Sequence, residues 1–236
     1  MFWLAAWQLG SLLLHQPLLL PSPWQVVCEL ARMGATPAFW TVTGGSLLRI
    51  VLGFVLGLAC GAVLAVLCAL LPAAQPLIAL PMGIVKASPV ASFAILALLF
   101  IGSDWFSVFI SFLMVLPVAW SNLSAGIAAT DRGLLELAQL YRFPVSRVVK
   151  TIYFPTVLPY LLSAVRVGLG FAWKSGIAGE VIALPKNALG TQLYNAKVYL
   201  ETASLFGWTV AIVLLSLLLE GLAVGLLNRL GRQKTK

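Results

Sequence analysis

The amino-acid sequence predicts an all-α membrane protein with about six transmembrane helices. Hydrophobic residues make up 61% of the 236 residues and charged residues only 9%, whereas charged residues form about a quarter of a soluble domain. Several apolar runs reach the roughly 20 residues that a helix needs to cross the hydrocarbon core. Basic loops held against the membrane account for the net charge of +8, so the charge does not indicate a nucleic-acid partner.

The N-terminal region, residues 1–45, is predicted to hold one spanning helix and one interfacial segment. Residues 2–20 form an apolar run that ends before Pro21. A secretory signal peptide is the alternative, but a basic start and a small-residue cleavage site are missing. Residues 22–45 suit an amphipathic segment lying in the membrane interface, with charged and aromatic positions at Trp24, Glu29, Arg32 and Trp40.

Three further spans are predicted over residues 46–71, 82–101 and 106–129. The first carries small residues at four-residue intervals, a pattern that lets two membrane helices pack closely: Gly53, Gly57 and Gly61. Pro89 interrupts the second span. We therefore expect a helix that is broken or kinked beside protein or a polar cavity.

Residues 131–155 form the longest polar interruption of the chain. Leucines and an alanine alternate there with polar residues at helical spacing, which predicts a short amphipathic helix near residues 131–144. Pro144 is expected to end this helix, and a second apolar stripe begins at Val145. An amphipathic helix resting on the bilayer is the alternative interpretation of this segment.

Two last spans, over residues 158–182 and 203–227, complete six crossings and place both termini on one side. The polar interruption and the tail share that side and carry most basic residues: Arg132, Arg142, Arg147, Lys150, Arg229, Arg232, Lys234 and Lys236. Because basic residues concentrate in cytoplasmic loops, this side is predicted to be the cytoplasm.

The polar interruption also resembles a family signature. The pattern E-A-A-x-x-x-G-x9-I-x-L-P of ABC importer permeases is matched by Glu136, Ala138, Ile152 and Pro155. Three positions differ, with Leu137 for the second alanine, Arg142 for the glycine and Phe154 for the leucine. Since glycine usually forms the tight turn after the helix, Phe143 and Pro144 are expected to end it here by other means.

The resemblance extends over roughly residues 40 to 230, to the nitrate, sulfonate and taurine branch of these permeases. It is carried by Ser46-Leu47-Leu48-Arg49, Ala87-Ser88-Pro89-Val90-Ala91, Arg166, Gly168-Leu169-Gly170 and Gly179-Glu180. It implies a type I ABC importer permease fold, similar to methionine and molybdate permeases, in a bacterial plasma (inner) membrane. A permease core would span residues 46–228, and residues 229–236 would form a basic cytoplasmic tail.

The same resemblance implies a transport subunit that is not an enzyme. The chain has no G-x-x-x-x-G-K-[ST] motif, so ATP would be bound by a separate ATPase subunit. An extracellular or periplasmic binding protein and a second copy of the chain are the other implied partners. Contact with the ATPase is assigned to the segment near residues 131–144 and its exit, through Leu135, Glu136, Ala138, Arg142, Pro144 and Pro155.

Polar and charged residues inside the spans are candidates for the translocation pathway, since such groups are costly in lipid. These candidates are Lys86, Ser88, Ser92, Asn122, Ser163, Arg166 and Lys174. The expected substrate is a small polar solute such as a sulfonate, nitrate or vitamin precursor.

Two other classes of function remain as alternatives. A secondary transporter driven by an ion gradient would be expected to show an inverted repeat, and none is evident. A membrane-embedded enzyme would need a catalytic pair or an acidic metal cluster, whereas Asp104 and Asp131 are isolated in loops. We predict no catalytic residue, no metal site and no cofactor of the chain's own.

Overall fold

The computed structural model describes residues 2–14, 16 and 19–232, and their regular structure is entirely helical. The helices are α1 Phe2–Leu14, α2 Pro23–Gly34, α3 Pro37–Leu70, α4 Ala74–Ala87, α5 Val90–Leu98, α6 Ser103–Ala128, α7 Arg132–Leu140, α8 Val145–Val148, α9 Phe154–Ala183, α10 Leu189–Val198 and α11 Thr202–Arg232. A π-helical turn, Val149–Tyr153, joins α8 to α9.

Three helices, α3, α6 and α9, form the centre of the fold. Cβ atoms built on Gly53, Gly57 and Gly61 of α3 would collide with α6, for example at 2.8 Å from the carbonyl oxygen of Phe112. The predicted packing role of these glycines is therefore confirmed. Along this contact the residue numbers of α3 and of α6 increase in the same direction, so the two helices run parallel.

Helix α9 runs antiparallel to α6. Ser107 of α6 donates its hydroxyl to the carbonyl of Gly176 at 3.2 Å, and Ser111 donates to Ala172 at 3.1 Å. At the other end, the ring of Tyr160 lies against Gly126. The loop between α6 and α9 is therefore at the opposite end of the bundle from the loop between α9 and α10.

The remaining helices pack around this centre. Trp208 of α11 stacks on Phe39 of α3, with ring centroids 5.3 Å apart, and Trp173 of α9 donates its indole N–H to the carbonyl of Ile212. Ser204 at the start of α11 donates a hydrogen bond to Glu29 of α2. These contacts place α2, α10 and the start of α11 at one end, which we call the outer end.

Four helical segments are long and apolar enough to cross a membrane: Pro37–Leu70, Ser103–Ala128, Val145–Ala183 and Thr202–Ala223. The pair α4 and α5, bent by 106°, makes a fifth if it counts as one broken span. This confirms the break predicted at Pro89.

The described helices supply four or five of the six predicted spans, and the span predicted over residues 2–20 stays a prediction. Helix α1 has 13 residues, or about 20 Å of length, which is short of a hydrocarbon core of about 30 Å. His15, Pro17 and Leu18 of the predicted first span lie outside the described residues. Helix α3 also begins at Pro37 rather than at Ser46, because Thr36 accepts a cap hydrogen bond from Phe39 and Pro37 fits the first turn.

Candidate functional site

Helix α7 lies at the end opposite the outer end, which we call the coupling end. Asp131 caps its N terminus by accepting a hydrogen bond from the backbone N–H of Gly133 at 2.7 Å. A carboxylate at this position also interacts favourably with the helix dipole. The predicted amphipathic helix is therefore present and begins at Arg132.

The C terminus of α7 ends in a tight turn formed without glycine. Arg142 has a φ of 50°, the left-handed region that glycine usually occupies. The N–H of Phe143 donates to the carbonyl of Ala138 at 2.9 Å, and the N–H of Arg142 donates to Gln139 at 3.0 Å. These two bonds form a Schellman motif, so arginine here takes a conformation that glycine usually adopts at helix ends, at a cost of about 1 kcal/mol.

This turn corrects the predicted role of Pro144. Helix α7 ends at Leu140, and Pro144 lies at the N-cap position of α8. Proline suits this place because it needs no N–H donor at a helix start. Pro144 therefore begins the next helix instead of ending α7.

One face of α7 is directed toward the segment that follows it. Ala138 is 4% exposed and Leu135 is partly buried. Together with Arg142 they line a groove of about 290 Å³ whose other wall includes Val145, Val149 and Tyr153. Three of the predicted ATPase-contact residues thus face α8 and the π-helical turn.

The adjacent side of α7 and its C-cap residue present apolar side chains to their surroundings. The exposed fractions are 48% for Leu134, 50% for Leu137, 76% for Leu140 and 69% for Tyr141. Glu136 is exposed as well. We call these four apolar residues the leucine face. A cluster of exposed apolar residues beside polar ones is typical of a protein or membrane contact.

The connection from α7 into the bundle is lightly packed. No residue of α8 or of the π-helical turn is buried. Pro155, the second residue of α9, has no N–H, and the preceding turn takes π geometry, in which Phe154 donates to Val149. The hydroxyl of Thr156 donates a hydrogen bond to the carbonyl of Ile152 at 2.9 Å.

Three of the predicted pathway residues lie on one face of α9. Ser163, Arg166 and Lys174 are exposed, and their spacing places them on the same side as Gly170, where an added Cβ would meet nothing within 4 Å. Neither Arg166 nor Lys174 forms a salt bridge with any described residue. This cationic face is available to another molecule.

The other candidates are more scattered. Lys86 and Ser92 are exposed beside the break between α4 and α5, and Ser88 is partly buried there. Asn122 donates its side-chain amide to the carbonyl of Val118 in its own helix at 2.9 Å. The structure gives Asn122 a local role and does not join it to the face of α9.

Sequence reasoning missed a buried ionic network at the outer end. Glu180 of α9 is 0% exposed and accepts hydrogen bonds from the Ser46 hydroxyl at 2.7 Å and from Arg49 at 3.2 and 3.3 Å. Lys174 lies six residues before Glu180, and this spacing correctly predicted that the two side chains do not pair. The true partner is Arg49, the basic residue of the Ser46-Leu47-Leu48-Arg49 run. Its sequence signal is that it is the first charged residue inside the long apolar helix α3.

These features define an all-helical, multi-pass membrane protein with an amphipathic helix held outside the bundle at one end. The chain belongs to the family described as binding-protein-dependent transport system inner membrane component, which matches residues 35–235. Members are permease subunits of ABC importers and are not enzymes. The described residues hold no group of three or more side chains suited to a metal ion.

Individual relatives agree with this family. The taurine transport system permease protein TauC of Escherichia coli (strain K12) is 26% identical over 221 residues, which cover 91% of this chain and 80% of that protein. A permease of the same organism, whose name assigns it provisionally to aliphatic sulfonates transport, is 29% identical over 230 residues, or 96% and 86% of the two chains. The riboflavin transport system permease protein RibX of Chloroflexus aurantiacus is 30% identical over 146 residues, or 61% and 54%.

Proposed function

We propose that this chain is the membrane-spanning subunit of an ATP-driven importer and that α7 is its contact with a separate ATPase. The leucine face carries this proposal. Four apolar side chains are between 48% and 76% exposed on a short helix and its C-cap residue, beside a face that lines the groove toward α8. A soluble partner with an apolar groove would remove this surface from water.

The path from α7 into the membrane supports a mechanical role. Helix α7 is joined through the Arg142 turn, α8 and the π-helical turn to α9, which packs against α6 and α3. A displacement of α7 by the closing ATPase would therefore reach the central helices directly. Rigid-body movement of packed elements is a common form of such transitions.

We further propose that the imported solute is a small anion or zwitterion of the sulfonate type, such as taurine. Arg166 and Lys174 on the exposed face of α9 supply positive charge. The names of two relatives assign them to taurine and to aliphatic sulfonates. Sulfonate oxygens accept hydrogen bonds from guanidinium and ammonium groups.

The same proposal includes two protein partners beyond the ATPase. A binding protein would deliver the solute at the outer end, and a second copy of this chain would complete the pathway, since the cationic face of α9 is enclosed on one side only. Two coupling helices would then serve two ATPase subunits. The C-terminal end of α11 points to the coupling end and is proposed to be cytoplasmic; a cytoplasmic N terminus stays a prediction, because it requires a crossing by residues 2–20.

Purification of the tagged chain from membranes of its native host tests the main proposal. We expect an ATPase to copurify and the complex to hydrolyse ATP. A chain that purifies without an ATPase would refute the importer assignment. A chain that catalyses uptake in proteoliposomes driven by an ion gradient alone would support the secondary transporter instead.

Uptake by intact cells tests the substrate. Cells that carry the chain with its native partners should accumulate radiolabelled taurine, and excess unlabelled ethanesulfonate should compete. Replacing Arg166 and Lys174 together by glutamine should lower the uptake at least tenfold while the ATPase still copurifies. Unchanged uptake in that double variant would contradict a pathway along this face of α9.

A further inference from the structure

Both carboxylate oxygens of Glu180 accept hydrogen bonds from neighbouring groups. One oxygen accepts from the hydroxyl of Ser46 at 2.7 Å and from the N–H of Gly190 at 3.1 Å, and the other accepts from Arg49 at 3.2 and 3.3 Å. A buried charge is costly unless it is paired and hydrogen-bonded to this degree. The pairing joins α3 and α9 at the outer end.

The same side chains also hold the loop that follows α9. Arg49 donates to the carbonyl of Asn187 at 2.8 Å and to that of Lys186 at 3.5 Å. The hydroxyl of Ser46 accepts from the backbone N–H of Leu189 at 2.8 Å. Arg49 and Ser46 therefore each bond both Glu180 and the loop.

The loop has a conformation that needs such support. Leu184 and Asn187 have φ values of 51° and 50°, which cost free energy in residues other than glycine. The fit is close, since a Cβ on Gly45 would lie 2.6 Å from the carbonyl oxygen of Asn187, and one on Gly190 would lie 2.5 Å from the Cβ of Glu180. The loop therefore lies in close contact with both α3 and α9.

We propose that Ser46, Arg49 and Glu180 form an outer latch that positions residues 184–190 and α10, so that they move with α3 and α9 as one rigid body. The inference rests on the proposed function, in which a displacement of α7 passes through α9. The latch then carries this displacement to the outer surface, where the binding protein would act. These three residues are positioning residues and do not contact the solute.

Hydrogen exchange of the complex in lipid nanodiscs tests whether the latch holds the loop. Arg49→Gln should speed exchange of the Leu189 and Gly190 amides at least tenfold and leave α7 unchanged. Ser46→Ala, a milder change that keeps the ion pair, should speed the Leu189 amide about threefold. Arg49→Lys should restore part of the protection, and Arg32→Gln, which removes the exposed arginine of the other outer ion pair, should change nothing in the loop.

A functional measurement separates positioning from a general folding defect. With the latch broken by Arg49→Gln, ATP hydrolysis per complex should stay within twofold of wild type, whereas uptake of radiolabelled taurine should fall at least tenfold. Equal losses of both activities, or an unchanged exchange rate in the loop, would overturn the latch. Failure of the wild-type chain to bind any ATPase would refute the proposed function instead. The exchange rates of the loop amides would still test the latch, because they do not depend on the ATPase.

Discussion

The helices at the centre of the molecule pack their apolar residues against one another, whereas the segment at its coupling end leaves most of its apolar residues exposed. In α3, residues such as Ile50, at 1% exposure, and Ala65, at 1%, are enclosed by α6 and α9. In α7 and α8, Ala138 is the one buried residue. The central helices complete their packing within one chain, and the coupling segment does not.

This difference indicates which part of the molecule is shaped by a partner. A close helix pair such as α3 and α6 can be specified by small residues that let two backbones approach. The leucine face has no such counterpart in the described chain. Changes in the centre should therefore alter stability, and changes on the leucine face should alter assembly.

The largest effect on stability is expected from filling the contact between α3 and α6. In Gly57→Val, the new Cβ would lie 2.8 Å from the carbonyl oxygen of Phe112 and 2.8 Å from the Cβ of Val115, so the helices must separate. We expect a loss of about 2 kcal/mol or more. The midpoint of thermal unfolding in detergent, followed by tryptophan fluorescence, measures it.

A matched control lies on the same helix. At Gly44 an added Cβ meets nothing within 4 Å, so Gly44→Val should leave the midpoint nearly unchanged. Equal midpoints for the two variants would show that the glycines do not set the spacing between α3 and α6.

The fold was largely predictable because apolar length and helix breakers act locally. The runs around Gly57 and Pro117 are long enough to identify spans, and Pro89 marks a broken helix because proline removes a backbone donor. The start of α3 was not predictable from the Gly44-Gly45 pair, since packing against α11 overrides the weak helix propensity of glycine. A span formed by residues 2–20 stays a prediction, because an apolar composition does not fix helix length.

A smaller effect is expected at the turn after α7. Arg142→Gly removes the left-handed strain of about 1 kcal/mol, and the greater freedom of glycine in the unfolded chain offsets part of this gain. The net gain of at most about 0.6 kcal/mol should slow exchange of the Phe143 amide by up to about threefold. Arg142→Ala keeps the strain, so it should bring no slowing; equal behaviour of the two variants would contradict the account of this turn.

The position of α7 was predictable from the sequence, and the exposure of its individual apolar residues was not. Periodicity in residues 131–144 predicts that one face is apolar, yet it cannot tell which residues of that face line the groove toward α8. Leu135 and Ala138 line this groove together with Val145 and Val149, and their contact with the ATPase stays a prediction. The long-range pair of Arg49 and Glu180 depends on the parallel and antiparallel arrangement of three helices, which spacing along the chain does not encode.

The smallest effect concerns the exposed ion pair at the outer end. The hydrogen bond from Arg32 lowers the pKa of Glu29 below its usual value, although partial burial opposes this. A carboxyl with a lowered folded pKa adds stability above its unfolded pKa of about 4.3, and loses it as the pH falls through the folded pKa. The thermal midpoints of wild type and Arg32→Gln should thus differ slightly at neutral pH and converge as the pH falls through the lowered pKa of Glu29; a gap that widens in acid would contradict this sign.

The leucine face can be tested most directly by comparing two equally exposed leucines at opposite ends. Leu140 on α7 is 76% exposed, and Leu200 before α11 is 72% exposed. We expect Leu140→Asp to abolish copurification of the ATPase from native membranes, with a thermal midpoint like that of wild type, and Leu200→Asp to leave copurification intact. An ATPase that copurifies in full with Leu140→Asp would contradict the assignment of α7 as the coupling helix.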